Sequence, residues 1–343
     1  MSTSNKLIAT LSSNHSAIDA YMDVPCELSK IDRKNHHQVA ENGKPIVYDL
    51  MITVSTPSDA SVSAPDKAIL MSGTVFTAPN NWQTRNAVRM AHYVRDELRR
   101  EAGVSKGAIG KYAKTMRLNL DNQMFDLAND PDLSLTSTPN LSRYQRLYAS
   151  FDPNFGIPYQ RVNNFTGGVW DYTQLAQVTT ADANTATDYH LTVTGAHVGN
   201  AASGYTTVGC IQAYNERRLT VLTDSTVAAG GDSQFVDNDS PFFRVPQQDS
   251  SEDAYTQITL DEQDNPPYDR TVSGDAIKAQ PVEYFQLTAQ NTMSTFRVQA
   301  PLGLLQFDFR EMYGTGYVEG ATGAWTTVQD VFVEVECLGT YEM

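Results

Sequence analysis

The glycine-rich stretch from Gly103 to Lys111 partly resembles a phosphate-binding loop. Such a loop cradles phosphate oxygens with backbone amides and needs the spacing Gly-x-x-x-x-Gly-Lys-Ser/Thr. Aligned on Gly110 and Lys111, this chain has Ser105 in place of the first glycine. It also has Tyr112 where the hydroxyl residue is needed. The stretch therefore predicts a plain turn rather than a nucleotide site.

Metal-binding and disulfide patterns are weak. Among six histidines, His36 and His37 form the one adjacent pair, and no His-Glu-x-x-His spacing occurs. A solvated hairpin strand accounts for that pair better than a metal site does. The cysteines Cys26, Cys210 and Cys337 are too few and too far apart for a disulfide framework or a zinc cluster. We expect them to be small, buried apolar residues.

Two acidic stretches offer oxygen ligands for a hard cation. One covers residues 261–269, and the other contains Asp232, Asp237 and Asp239. Neither has the spacing of a calcium-binding hand, which favours solvated loops. The chain also lacks a Gly-x-Ser-x-Gly elbow and a cysteine in a nucleophile context. We therefore predict no catalytic residue, no metal and no cofactor.

A basic segment between residues 85 and 117 is the most unusual chemical feature of the chain. It has nine basic and three acidic residues, a local charge of +6, whereas the whole chain carries −15 and the remainder −21. This polarity predicts a dipolar subunit if the segment occupies one face. The basic residues are Arg85, Arg89, Arg95, Arg99, Arg100, Lys106, Lys111, Lys114 and Arg117.

Length and composition bound the class of protein. A chain of 343 residues exceeds the usual size of one hydrophobic core, which favours two domains. Only 19% of residues are charged, and scattered glycines and prolines suit short strands and many turns.

The net charge argues against a protein whose whole surface coats nucleic acid. Residues 1–22 lack a secretory signal pattern and no apolar run reaches about 18 residues, so we expect a soluble protein made in the cytoplasm.

Alternation of apolar and polar residues predicts strands along most of the chain. It is clearest where Leu50, Ile52 and Val54 alternate with Met51 and Thr53. Just before that strand, the Asn-Gly dipeptide at 42–43 predicts a hairpin turn. The apolar phase shifts at residues 304–305, as a bulge would cause. Strands are predicted at residues 46–54, 68–76, 116–120, 143–149, 189–193, 206–214, 219–222, 255–260, 282–288, 295–309 and 331–337.

One helix interrupts this pattern. Asn80 or Asn81 is a suitable N-cap, and Gly103 is a suitable residue to end the helix. Apolar residues at positions 87, 91, 94 and 98 would share one face. We expect a helical insertion over residues 81–112.

A short connection rich in small residues, at 195–204, separates two predicted strands, so we place a domain boundary near Asn200. An internal echo agrees with this division, since Cys26 and Cys210 precede Asp-Arg-Lys and Glu-Arg-Arg at the same offset. The echo predicts that each half opens with a similar strand. The predicted domains are 1–200, which contains the helical insertion, and 201–343.

Many short strands with long irregular loops favour a sandwich or jelly roll over a propeller or solenoid. The predicted fold class is all-β, with two consecutive eight-stranded jelly rolls and a short helical insertion in the first. The chain resembles the double jelly-roll major capsid proteins of tailless, membrane-containing icosahedral bacterial viruses of the tectivirus, corticovirus and finnlakevirus type. The segments that carry the resemblance are 26–33, the turn at 42–43, the Ala-Pro-Leu-Gly-Leu-Leu sequence at 300–305 and the terminal strand at 331–338.

The resemblance implies a structural protein of the virion and not an enzyme. In that family three copies form a pseudo-hexagonal capsomer with both jelly rolls upright against the shell. It therefore implies a homotrimer here, in contact with neighbouring capsomers and with other virion proteins such as a penton or spike, and without a small-molecule substrate. For the basic segment, two hypotheses have equal weight. It faces inward toward anionic lipid head groups or the packaged genome, or it forms salt bridges to adjacent subunits.

Two other classes of protein fit the same composition. A virion spike or a carbohydrate-binding module would use its tyrosines as sugar platforms, yet Trp82, Trp170 and Trp325 lie far apart in the chain. That spacing favours packing and extended interfaces. A glycoside hydrolase with two carboxylates is the second rival, and the missing secretion signal argues against it.

Overall fold

The computed structural model describes separate parts of the chain that together hold most of the predicted strands. These parts are residues 6–13, 17–32, 34–56, 69–110, 114–124, 144–147, 173–178, 186–195, 206–218, 278–288, 291–310 and 329–343. The strands predicted at 219–222 and 255–260 lie outside the described residues.

Strands dominate the described secondary structure, which is consistent with the predicted all-β class. The strands are β1 (Lys6–Ser13), β2 (Ala17–Asp23), β3 (Ile46–Ser55), β4 (Ile69–Thr77), β5 (Tyr144–Arg146), β6 (Gln174–Val178), β7 (Ala186–Thr192), β8 (Thr206–Gly209), β9 (Gln280–Thr288), β10 (Met293–Pro301), β11 (Leu304–Arg310) and β12 (Gln329–Glu342). The α-helices are α1 (Val24–Asp32), α2 (Trp82–Glu101) and α3 (Cys210–Arg218), and a short 3-10 helix spans Lys106–Ala108.

Two large sheets form a sandwich. The first sheet has the strand order β1-β12-β3-β10, and all its neighbours are antiparallel. The second sheet has the order β5-β2-β11-β4-β9, and only the short β5 runs parallel to its neighbour. A third, three-stranded sheet has the order β6-β7-β8.

The connections of the sandwich alternate between its two sheets. The chain passes from β1 to β2, β3 and β4 by changing sheet at each step, and it does the same from β9 through to β12. The exception is the step from β4 to β9, because these strands are neighbours in the second sheet. Residues 78–279 lie between them in sequence, and we call these residues the insertion.

The sheets do not follow the predicted division at residue 200. Residues 1–200 supply β1 to β4 and residues 201–343 supply β9 to β12, and the two sets alternate within both sheets. In the first sheet, β12 lies between β1 and β3 and pairs with both. The strands of the two large sheets therefore form one sandwich to which both predicted domains contribute, rather than two consecutive sandwiches.

One hydrophobic core fills the space between the two large sheets. Leu50, Ile52 and Val54 of β3 are fully buried in it, which confirms the alternation predicted there. Leu7 of β1 and Val333 of β12 lie in the same cluster. Full burial of one such side chain contributes roughly 1.5–3 kcal/mol. The core therefore depends on residues from both ends of the chain.

A second hydrophobic cluster lies where the insertion meets the sandwich. It combines α2, α3 and the third sheet with Tyr21 and Leu304 of the second sheet. Their sequence neighbours Met22 and Leu305 belong to the first core. Successive side chains of a strand point to opposite faces, so Tyr21 and Leu304 lie on the outer face. The insertion thus covers one end of that outer face.

The predicted bulge near residue 304 is a tight turn instead. The predicted strand at 295–309 divides into β10 and β11, which are joined by Leu302 and Gly303 with φ angles of 63° and 66°. The amide of Gly303 donates to the backbone oxygen of Ala300 at 3.1 Å, so Pro301 and Leu302 are the central residues of the turn. Proline followed by a residue with positive φ is the pattern of a type II turn, and the turn produces the phase shift. Pro301 ends β10, which is an edge strand of the first sheet among the described strands, a position that tolerates proline.

Two predicted strands differ in the structure. Residues 116–120 form no strand: Asn119 makes an isolated bridge with Thr192, and the amide of Leu118 donates to a side chain of the hairpin region instead of a ladder. The strand predicted at 206–214 ends at Gly209 and continues as α3. Short apolar runs fit a buried helix and a strand equally well.

The internal echo marks helices rather than opening strands. Cys26 lies in α1 directly after β2, and Cys210 begins α3 directly after β8. Asp23 explains the first case, since its Oδ1 accepts a hydrogen bond from the amide of Cys26 at 3.0 Å. An aspartate N-cap followed by Pro25 in the first turn favours a helix.

Replacement of Gly303 by alanine tests the tight turn. An added Cβ would lie 2.3 Å from Cδ of Pro25 and 3.0 Å from Cδ2 of Tyr48, and the φ of 66° is already unfavourable for alanine. We expect Gly303→Ala to lower the free energy of unfolding by about 2 kcal/mol or more in urea denaturation. Gly339→Ala is the control, because nothing lies within 4 Å of its added Cβ. Equal stability of the two variants would contradict the turn geometry.

Candidate interaction surface

Helix α2 begins just after β4, and its sequence sets both its start and its buried face. The side-chain oxygen of Asn81 accepts a hydrogen bond from the amide of Thr84 at 3.0 Å, which confirms the predicted N-cap. Ala87 and Ala91 are buried in the second cluster, as predicted. Gly103 has a φ of 69° just beyond the helix, which suits its predicted role.

The helix lies against one end of the sandwich. A Cβ on Gly43 would lie 2.9 Å from Cγ of His92, so the hairpin turn packs directly against α2. The turn is as predicted, with Val39 and Pro45 bridged across it and Gly43 at a φ of 82°. Glycine therefore serves both the backbone angle and the close approach of the helix.

Part of the predicted basic segment does not lie at the surface, because some of its arginines are buried. Arg95 is 6% exposed, and its Nη1 donates to the backbone oxygen of Lys114 at 3.3 Å. Burial, and then the neighbouring charge of Arg99, lower the pKa of Arg95 to about 10. Burial also lowers the pKa of Arg99. Both groups remain cationic at neutral pH.

The remaining basic residues divide between paired and exposed positions. Arg99 lies 3.8 Å from Asp96, and Arg100 pairs with Glu97. Neither Arg85 nor Arg89 makes an ion pair within the part of the chain that the structure describes, and both are exposed. Lys114 is exposed and Arg117 is buried, whereas the Lys106 side chain and the whole of Lys111 lie outside the described residues. The segment therefore does not present one continuous basic face.

A buried polar network joins the insertion to the sandwich. Gln38 is fully buried; its Nε2 donates to Oδ2 of Asp23 at 3.1 Å, and its Oε1 accepts from the amide of Leu118 at 2.6 Å. Arg117 donates from Nη2 to the backbone oxygen of His36 at 3.3 Å. No sequence signal identifies Gln38, because its partner Leu118 lies 80 residues away.

His37 belongs to the same region rather than to a solvated hairpin strand. Its Nδ1 lies 2.8 Å from Oγ1 of Thr115, and its backbone oxygen accepts from the Tyr48 hydroxyl at 2.8 Å. Burial, followed by the charge of Arg117, lowers the pKa of His37. The imidazole therefore serves as a neutral hydrogen-bonding group between the hairpin region and the insertion.

The other chemical motifs give no candidate site within the described residues. The stretch at 103–110 forms a turn and the short 3-10 helix. Cys26 and Cys210 are buried as expected, and burial raises the pKa of the Cys210 thiol, whereas Cys337 is partly exposed. No cluster of three or more His, Cys, Asp and Glu side chains in this part of the chain could hold a metal ion. Both acidic stretches lie outside the described residues.

The comparisons with known proteins identify no relative. No family model matches the chain, and neither a curated protein nor a solved structure matches it. Among the described helices, none combines the length and apolar character needed to cross a bilayer.

What remains is an exposed stripe on α2. Trp82 and Tyr93 are 42% and 55% exposed, and Arg85 and Arg89 lie between them in sequence. At 100° per residue these four positions fall within an arc of about 80°, over a length of about 17 Å. We call them the α2 stripe. The local charge of the sequence identifies the two arginines of the stripe, whereas Trp82 and Tyr93 carry no charge and are identified by their exposure in the structure.

Replacement of Gln38 by methionine tests the buried network. Methionine has a similar volume but leaves the Asp23 carboxylate and the Leu118 amide without this partner. We expect Gln38→Met to lower the free energy of unfolding by about 1–3 kcal/mol. Gln286→Met is the control, since Gln286 is exposed on β9 and its change should stay within about 0.5 kcal/mol. Urea denaturation of both variants gives the comparison, and a neutral Gln38→Met would refute the network's role.

Proposed function

We propose that this chain is a virion structural protein, the major capsid protein of a tailless icosahedral virus, and that its sandwich is a jelly roll. The order β1-β12-β3-β10 facing β2-β11-β4-β9 carries the proposal. Eight strands in two sheets linked as two Greek keys define a jelly roll, which viral capsid and lectin domains share. The chain then acts by assembling with itself and has no catalytic role.

One fold can have many functions, so a capsid role also requires surfaces through which the chain binds other copies of itself. One long side of the sandwich has edge strands of both sheets, β9 and β10. Tyr284 and Val282 of β9 are 59% and 38% exposed, and Met293 of β10 is 55% exposed. Exposed apolar side chains on unpaired strand edges favour association with further chains. Such an edge suits a subunit that is buried in a shell.

The proposed double jelly roll takes a nested form. The strands of the described sandwich that the Greek keys link come from residues 6–77 and 280–342, and we place the second jelly roll in the insertion between them. The third sheet lies there, and its buried residues belong to the second hydrophobic cluster, which the insertion shares with the outer face of the sandwich. In this form the insertion stands beside the first sandwich, as the two halves of a capsomer subunit would.

The proposed partners follow from this role. They are two further copies in a homotrimer, neighbouring capsomers, and virion proteins such as a penton or spike. An internal membrane or the packaged genome is a further candidate partner for the exposed cations of the basic segment. The proposed location is the virion, after synthesis in the host cytoplasm.

A virion spike or carbohydrate-binding module is the second candidate function. Lectin domains share the jelly-roll architecture, and the exposed rings of Trp82 and Tyr93 are the kind of side chain that stacks on sugars.

The mass of the purified full chain distinguishes these functions. We expect light scattering to give three times the 37.8 kDa of one chain, and negative-stain electron microscopy to show shells or capsomer arrays at high concentration. Self-assembly is expected because β9 and β10 are edge strands of the described sheets and carry exposed apolar residues. A monodisperse monomer that binds glycans on an array would refute the capsid proposal and support the binding module.

A further inference from the structure

The α2 stripe is held rigidly although it faces outward. The indole of Trp82 meets the ring of Tyr214 edge to face, with centroids 6.3 Å apart and planes at 76°. The Tyr214 hydroxyl in turn accepts a hydrogen bond from Nδ2 of Asn86 at 3.2 Å. Opposite the stripe, Ala87 and Ala91 fix the helix to the second cluster. A partner therefore meets a Trp82 ring that is already held in place, which lowers the entropy cost of binding.

The composition of the stripe suits a protein partner. Tryptophan, tyrosine and arginine are the residues most enriched at the energetic centres of protein interfaces. A nucleic acid needs a broader cationic footprint, typically about 6–10 phosphate contacts. The stripe offers two arginines without ion pairs in the described parts of the chain, and the rest of an acidic chain would repel a polyanion.

Charge complementarity identifies the partner as a second copy of this chain. Outside residues 85–117 the chain carries a formal charge of −21, so another copy offers acidic surface in excess. We propose that the α2 stripe binds an acidic surface of a second copy. This inference rests on the proposed self-assembly and names one of its contacts.

The sign of the charge also restricts the symmetry of the contact. If the stripe met the stripe of another copy across a twofold axis, Arg85 and Arg89 would face like charges. The contact therefore joins two different surfaces of the chain, head to tail. Such contacts close into rings when the rotation permits, and a threefold ring is the capsomer proposed above.

Charge reversal on the stripe tests this contact. Arg85→Glu combined with Arg89→Glu should raise the trimer dissociation concentration about ten-fold or more, measured by mass photometry on dilution. The control Lys114→Glu with Lys278→Glu makes the same change in net charge at exposed positions outside the stripe, and it should leave the trimer intact. Both double variants should keep the wild-type melting temperature, because all four residues are exposed.

A second variant separates contact from net charge. Tyr93→Ala changes no charge, and we expect it to weaken the trimer as well, with less change in the salt dependence of association than the charge reversal causes. If wild type forms trimers and the stripe variants do so equally well, the inference is wrong while the proposed function stands. If wild type forms no oligomer, both are wrong. Loss of binding to a single-stranded oligonucleotide or anionic vesicles, with the trimer unchanged, would also overturn the inference and assign the stripe to those ligands.

Discussion

The sandwich depends on the position of the last strand, β12, between β1 and β3 in the first sheet. β12 pairs with β1 over eight residues and with β3 along its other edge, so the first sheet is not continuous without it. The same residues close the core, since Val331, Val333 and Val335 are fully buried. The backbone hydrogen bonds of the first sheet and the burial of apolar side chains in the core therefore both require β12. The first sheet cannot form from either end of the chain alone.

This constraint explains how the molecule accommodates a long insertion. β4 and β9 are adjacent strands although residues 78–279 separate them. The entropy cost of closing a loop grows only slowly with its length, so the number of inserted residues matters less than their attachment. The insertion attaches through its own hydrophobic cluster and through the buried polar network around Gln38 and Arg117. The insertion therefore attaches to the sandwich without interrupting the pairing of β4 with β9.

Local features were predictable from the sequence, whereas the arrangement of strands was not. The alternation in β3, the Asn-Gly turn and the cap of α2 at Asn81 each depend on residues close in sequence, and all three were confirmed. The pairing of β12 with β1 joins opposite ends of the chain, and a strand pattern does not state its partner. A boundary near residue 200 follows from the linear order of the strands, and the two large sheets combine strands from both sides of it.

The candidate surface shows the same division. Counting charges identified the basic segment, but the structure separates it into buried, paired and exposed arginines. Helical spacing places Arg95 beside the buried face of α2 that contains Ala91, whereas no local sequence feature distinguishes Arg117 from the exposed arginines. Their burial follows from contacts with Lys114 and with the distant His36. Helical spacing places Trp82 and Tyr93 on the same side of α2 as Arg85 and Arg89. The sequence alone is therefore sufficient to predict the α2 stripe.

Native-state hydrogen exchange in rising denaturant tests most directly whether the two ends of the chain close one sandwich. Amides of β3, from the first part of the chain, and of β10 and β12, from the last part, should lose protection together with the same free energy of opening. If the strands within 6–77 and those within 278–343 instead lost protection in two separate steps, the chain would hold two independent domains and the shared core would be wrong.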